Sequence, residues 1–178
     1  MSKPEILAIS GSLRAASFNT SVLKTLAAQS GDKANITVRT LNDIPMFSQD
    51  LESEPPASVA DLRAAMKAAD GIIISTPEYN HGPSGALINA LDWTSRPYGQ
   101  SSYMGKQVLI MSASPASTGG ARAHAQLYQN FVANACHVIG GPQVCVAGAH
   151  EKIENGQLTD TATLDFLQQA LDRLLATL

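Results

Sequence analysis

Short apolar runs alternate with stretches of helical periodicity along the whole chain. Ile6-Leu7-Ala8-Ile9, closed by Ser10-Gly11, reads as a buried strand. From about Phe18 to Ser30 the apolar residues Val22, Leu23, Leu26 and Ala27 recur at helical spacing. Ile36-Thr37-Val38-Arg39-Thr40-Leu41 alternates in the manner of a strand near a sheet edge. After a loop with Pro45, Pro55 and Pro56, Ser58-Val59-Ala60-Asp61 has the form of a capping box, in which the hydroxyl accepts a free backbone N–H and the acid reaches back. Val59, Leu62, Ala65, Met66 and Ala69 then share one helical face, ended by Asp70-Gly71. Ile72-Ile73-Ile74-Ser75-Thr76 is a strand apolar on both faces, which implies a sheet covered by helices on both sides. The pattern goes on to predict a helix from about Ser84 to Trp93 and a strand at Val108-Leu109-Ile110-Met111. A helix from about Ala121 to Cys136, a short strand at Val144-Cys145-Val146 and a last helix follow; the last carries Leu164, Leu167, Leu171, Leu174 and Leu178 on one stripe.

Five strand–helix pairs joined by right-handed crossovers leave few topologies. The commonest is a flavodoxin-like three-layer α/β sandwich, with a five-stranded parallel sheet in the order 2-1-3-4-5. The whole chain, residues 1–178, is expected to form one such domain. In that order the chain reverses direction between strands one and three. The loops leaving the carboxyl ends of strands one, three and four then border one crevice, where ligands of such sheets bind.

Those three loops are rich in Gly, Ser and Pro. The first, Gly11 to Thr20, joins a buried strand to a helix start, a place where backbone N–H groups and the helix dipole attract anions. Ser12, Ser17, Asn19 and Thr20 add hydroxyl or amide donors, and Arg14 adds a charge and a fork of N–H donors. The loop has neither a Walker A ending nor G-x-G-x-x-G, and the plainer reading leaves Ser17 as a helix cap in a solvated turn. The second loop, Thr76 to Gly85, is stiffened by Pro77 and Pro83 and offers the flat face of Tyr79. Glu78 either braces this loop or faces solvent, and His81 either stands near a reacting ring or is an exposed loop histidine. In the third loop, Ser114 to Arg122, Gly119-Gly120 lets backbone approach a ligand closely, or merely loosens the chain before a helix. A phosphate nest, a rigid amide edge and a glycine wall around one crevice suit a phosphate joined to a planar heterocycle. FMN is the economical choice.

Charge and composition narrow the classes of function. A net charge of −3 argues against nucleic acid, which needs a clustered basic surface. No apolar run approaches the ~20 residues of a membrane span, and the start, Met1-Ser2-Lys3-Pro4-Glu5, lacks the apolar stretch of a signal peptide. Cys136 and Cys145 fit neither a C-x-x-C redox pair nor a zinc site, so two apolar thiols in a reducing, cytoplasmic setting are expected. No metal site is expected. His124, His137 and His150 are scattered and read as surface residues. The segment from Thr94 to Met104 is long for a connection in an α/β unit and holds two of the four tyrosines, which suits a subunit contact beside the ligand or an ordinary surface loop.

The loops also resemble a known family. Gly11-Ser12-Leu13-Arg14 with Ser17 and Asn19 is similar to the G-S-L-R-x-x-S-x-N motif of the NADPH-dependent FMN reductases. Pro77-Glu78-Tyr79-Asn80, then Gly85, Leu87 and Asn89-Ala90-Leu91-Asp92-Trp93, resembles that family's second motif, and Ser114-Pro115 with Gly119-Gly120 its third. The likeness spans roughly residues 5–145 and is greatest to bacterial quinone and chromate reductases. It implies bound FMN, an electron donor that is NADPH or NADH, a homodimer or homotetramer, and reduction of quinones, free flavin, azo compounds or metal oxyanions such as chromate. By the same resemblance Ser12, Arg14, Ser17 and Asn19 hold the FMN phosphate; Pro77, Glu78, Tyr79 and Asn80 line ribityl and ring; Ser114, Gly119 and Gly120 flank the pyrimidine edge. Arg14 and His81 are then candidates to meet the nicotinamide donor. Ile88 in place of the family's usual Lys, and Ala116 in place of a common Gly, are departures that bear on subunit contacts and the ring pocket. No catalytic acid–base pair is expected, because flavin N5 carries the hydride. The rival reading is an electron carrier of the same fold with no NAD(P)H turnover; the modest net charge and Arg14 favour the enzyme.

Overall fold

Ile72, Ile73 and Ile74 have no accessible surface, and this strand is the centre around which the protein is built. The computed structural model describes residues 2–178. In chain order it contains β1 (Glu5–Ser10), α1 (Phe18–Gln29), β2 (Asn35–Arg39), α2 (Ala57–Ala68) and β3 (Gly71–Thr76). A small hairpin of β4 (Glu78–Tyr79) and β5 (Gly82–Pro83) leads to α3 (Gly85–Thr94), β6 (Gln107–Ala113) and α4 (Ala121–Ala133). Then come β7 (His137–Val138), β8 (Val144–Val146), α5 (Ala149–Lys152), the hairpin of β9 (Ile153–Glu154) and β10 (Gln157–Leu158), and α6 (Thr161–Leu175). The main sheet runs β2-β1-β3-β6, all parallel, as the expected order requires.

The fifth position differs from expectation. It is shared by two pieces, β7 against the start of β6 and β8 against its end. Between them Gly140-Gly141-Pro142 swings away from the sheet; Pro142 has no N–H for a ladder, and Gly141 has φ +125.

Alternation along the strands sorts the core into two layers. Ile6, Ala8, Leu109 and Met111 face Val22, Leu23 and Leu26 of α1 and Leu167, Leu171 and Leu174 of α6. Leu7, Ile9, Val108 and Ile110 face Leu62 and Met66 of α2, Leu87 and Leu91 of α3, and Leu127 and Phe131 of α4. The result is the three-layer sandwich that the β-branched, two-sided strand demanded.

Several local expectations are corrected. Helix α2 starts at Ala57 with Pro56 as its cap, because the Ser58 hydroxyl donates to the Asp43 carbonyl (2.9 Å) instead of capping. Helix α4 stops at Ala133, three residues short of Cys136, where Ala135 turns left-handed (φ +56). Leu178 lies beyond α6 and is exposed. Tyr103, in the segment assigned to a subunit contact, is instead core, edge-on to Phe131 with ring centroids 5.7 Å apart. Ile88 is half-buried against the same core layer. Among the described residues, no helix is long and apolar enough to cross a membrane.

Candidate functional site

The first loop is tied to the sheet at its base and open at its tip. The Gly11 N–H donates to the Ser75 carbonyl (2.8 Å), and the Ser84 hydroxyl donates to the Gly11 carbonyl. A Cβ on Gly11 would stand 3.1 Å from Thr76 Oγ1 and 3.2 Å from Leu87 Cβ, so the chain turns here against a wall. Ser17 caps α1, its Oγ accepting the Thr20 N–H at 3.2 Å. The Arg14 guanidinium lies over the Phe18 ring, 4.7 Å from its centroid. Phe18 was not singled out in the sequence; its position four residues after Arg14 was the available signal.

Asn19 has a different task from the donor role inferred for it. Its Oδ1 accepts both the Ser75 hydroxyl (2.8 Å) and the Ala113 N–H (2.9 Å), while its Nδ2 donates to the Ala113 carbonyl (3.0 Å). One buried amide thus latches α1 to the carboxyl ends of β3 and β6. The Thr20 hydroxyl shares a hydrogen with Ser10 Oγ (2.8 Å).

The second loop is a hairpin, with Asn80 (φ +51) and His81 (φ +65) left-handed at its tip and both exposed. Glu78 braces it. The carboxylate accepts the Arg122 backbone N–H (3.0 Å) and the Arg122 guanidinium (3.1 Å), so the second loop is clipped to the first turn of α4. Burial pushes the Glu78 pKa up, but the hydrogen bonds and charge of Arg122 outweigh it and hold the carboxyl below its ordinary value. A lowered carboxyl stabilises the fold above its unfolded pKa and loses that contribution as pH falls through the folded one. Glu78→Gln should therefore lower stability by about 1 kcal/mol at pH 7. In melts of both proteins between pH 3 and 7, the difference should shrink below roughly pH 4. A difference that stays constant down to pH 3 would rule out the ion pair as its source.

The third loop rests on a polar floor. Ser112 Oγ donates to the Gly119 carbonyl (2.7 Å) and meets His124 Nε2 at 2.8 Å. His124 is not the surface residue expected: it is buried on the inner face of α4, with Cys145 Sγ 3.7 Å from Nε2. Burial pushes its pKa down to about 4, so the ring is neutral at neutral pH. Burial also raises the pKa of the Cys145 thiol. Gly119 and Gly120 have φ +61 and +93, and a Cβ on either would come within 2.9 Å of Cys145 Cβ or Ser112 Cβ respectively.

The loops enclose a groove of about 270 Å³. Ser12, Arg14, Ser17, Phe18 and Asn19 form one wall; Pro77, Glu78 and Tyr79 another; Ala113, Ser114 and Pro115 the third. Thr20, Asn80, His81, Gly119 and Gly120 do not line it. The volume lies just below the ~300–1,000 Å³ of whole-ligand pockets, which suits a phosphate and polyol chain inside with a ring resting across the loops. The donor chemistry also fits FMN. Glu78 is neutralised by Arg122, so Arg14 is left as the charge that a phosphate would meet. A larger cavity, about 460 Å³, lies where β7 and β8 part, between the 140–143 turn and α4.

The sequence pattern of the NADPH-dependent FMN reductases matches residues 4–151. The chain belongs to the NADPH-dependent FMN reductase family. An NAD(P)H-dependent FMN reductase of Pseudomonas aeruginosa is 35% identical over 173 residues, covering 96% of this chain and 92% of its own. A quinone reductase of Escherichia coli is 35% identical over 170 residues, covering 93% and 90%. Among solved structures, FerB of Paracoccus denitrificans, a flavoenzyme NAD(P)H:(acceptor) oxidoreductase, superposes with a TM-score of 0.86 at 30% identity, covering 97% of this chain and 96% of its own. The reductase is thus an oxidoreductase of FMN and a reduced nicotinamide.

The second half of this reductase's second motif proves structural. Asn89 Nδ2 and Trp93 Nε1 both donate to the Pro45 carbonyl (2.9 and 2.8 Å), and Asn89 Oδ1 accepts the Phe47 N–H (2.7 Å). The long proline-bearing loop after β2 is thereby pinned on α3, with Phe47 edge-on to Trp93 at 5.0 Å.

Proposed function

We propose that this reductase holds FMN with the phosphate at Ser12, Arg14 and Ser17 and the ring across Tyr79 and the third loop, and passes two electrons from NADPH or NADH to quinones or free flavin. The observation that carries the reading is the groove between the three loops, with Arg14, which makes no ion pair among the described residues, at its phosphate end and the exposed face of Tyr79 at the other. Bound FMN supplies hydride acceptance and release at N5. The chain's own residues bind and orient. Ser17 and the start of α1 present donors to the phosphate, Arg14 neutralises it, and the Glu78–Arg122 clip keeps the second and third loops at a fixed separation. Arg122 holds Glu78 ionised, so the proton that each two-electron reduction consumes along with the hydride is drawn from water. Azo compounds and metal oxyanions such as chromate are further acceptors on this reading, each needing more than one reductive turnover to reach amines or Cr(III). Cytoplasmic placement and a homodimer or homotetramer complete the reading; Tyr98 and Met104, in the same segment as the core Tyr103, are exposed and available to a second copy.

The purified protein should be yellow and release FMN on denaturation. NAD(P)H should bleach the bound flavin within seconds, and initial rates at varied quinone should give parallel double-reciprocal lines, since one flavin face serves both substrates in turn. Intersecting lines would contradict the shared face. Finding only FAD, or no flavin after reconstitution with FMN, would sink the cofactor assignment, and bound flavin that NAD(P)H does not bleach would point to an electron carrier.

A further inference from the structure

His124 is a buried titratable group that neither the groove nor the hydride path uses. Its surroundings fix its protonation by a simple count. The Gly119 carbonyl carries no hydrogen, yet Ser112 Oγ lies 2.7 Å from it, so the hydroxyl hydrogen must lie on that line. Ser112 Oγ then has only lone pairs to offer His124 Nε2 at 2.8 Å, so Nε2 carries the ring hydrogen. The chain of donation runs one way, from His124 Nε2–H to Ser112 Oγ–H to the Gly119 carbonyl. Cys145 Sγ, at 3.7 Å, is a weaker second acceptor for the same hydrogen.

The consequence lies on the other side of the Gly119–Gly120 peptide. Among the described residues the only cis bond is Arg96–Pro97, so this peptide is trans. In a trans peptide the N–H points opposite to the C=O. With the Gly119 carbonyl drawn down onto Ser112, the Gly120 N–H points away from the floor. It finds no acceptor within the chain among the described residues. Both residues have no Cβ and positive φ, so the peptide would flip easily without an anchor.

We propose that His124 is a positioning residue for the cofactor: through Ser112 it holds the Gly119–Gly120 peptide, which stands outside the groove proper, in the one orientation that turns the Gly120 N–H away from the floor, toward a flavin ring resting across the third loop. The proposal rests on the FMN reading above. It assigns no chemistry to the imidazole, which touches neither flavin nor substrate. Its contribution is preorganisation: the donor stands ready before the flavin arrives, so binding need not select one peptide orientation from two.

The test separates orientation from general stability. Flavin-free protein is titrated with FMN by fluorescence quenching, alongside thermal melts of each flavin-free variant. His124→Leu and Ser112→Ala should each raise the FMN dissociation constant about 10-fold, as loss of one hydrogen bond does. The double variant should bind no worse than either alone, because both substitutions break one chain. His124→Gln, whose Nε2–H can reach Ser112, should return affinity to within about 3-fold of wild type, as one retained donor implies. Wild-type affinity in His124→Leu, equal losses in His124→Gln and His124→Leu, or additive losses in the double variant would each overturn the proposal. A second measurement needs no flavin and no variant: nitrogen NMR of His124 in the flavin-free protein at pH 7 should show Nε2 protonated and Nδ1 bare. The opposite tautomer would overturn the relay even if FMN binds. Failure of the wild type to bind FMN would overturn the cofactor reading, while the tautomer still decides the relay by itself.

Discussion

Asn19→Ala should be among the most damaging single substitutions at this site, costing about 4 kcal/mol of stability in urea titrations. The side chain satisfies three buried partners at once: the Ser75 hydroxyl, the Ala113 N–H and the Ala113 carbonyl. Ser75 has no accessible surface and Ala113 is 2% exposed, so water cannot replace the amide without opening the sheet end. Each orphaned buried group costs about 1–3 kcal/mol, and the cavity left behind adds to this. Against a total stability of about 5–15 kcal/mol the loss is a large fraction. At about 2–4 °C per kcal/mol for a domain this size, the melting temperature should fall by roughly 8–16 °C. FMN affinity should fall with it, since α1 carries the Ser17 cap and the loop with Arg14. Loss of under about 1 kcal/mol would mean that the latch is not formed in solution.

Arg14→Ala should do the reverse, leaving the fold intact and weakening the cofactor. Arg14 makes no ion pair among the described residues; its partner within the chain is the Phe18 ring beneath it. A cation–π contact of this exposed kind is worth about 0.5–1 kcal/mol, so the flavin-free protein should lose no more than that. Charge-assisted hydrogen bonds to a phosphate are worth about 1.5–3 kcal/mol, which becomes a 10- to 150-fold rise in the FMN dissociation constant at about 1.4 kcal/mol per decade. Ser17→Ala is the informative comparison. It removes the cap of α1, so it should cost about 1 kcal/mol in the flavin-free protein as well as FMN affinity. Isothermal titration with FMN and melts of both flavin-free variants separate the two. An Arg14→Ala protein that binds FMN as tightly as wild type would remove Arg14 from the phosphate site.

Read from residues alone, the chain already disclosed its architecture. Ile72-Ile73-Ile74, apolar on both faces, requires a doubly covered sheet, and the helical stripes supply the cover. Chain reversal between the first and third strands then places three loops on one crevice, because sheet order is a consequence of short right-handed crossovers. Local hydrogen-bond chemistry was also legible where the partner lies within a few residues, as at the Ser17 cap. Where a partner comes from far along the chain, tertiary structure decided. Ser58 had a cap to offer but found the Asp43 carbonyl, fifteen residues away, instead. Glu78 could brace or face solvent until α4 delivered Arg122, forty-four residues on. Asn19 read as a ligand donor and became a latch, because its amide matches two groups of Ala113, ninety-four residues away. His124 read as surface although it stands three residues before Leu127 and seven before Phe131, on the face of α4 that is buried; what the period could not supply was its partner, Ser112, twelve residues back on β6. Hydrophobic period is a property of neighbours in sequence and survives in it. A buried polar side chain is fixed by whichever distant group meets it, and that meeting exists only in the folded chain.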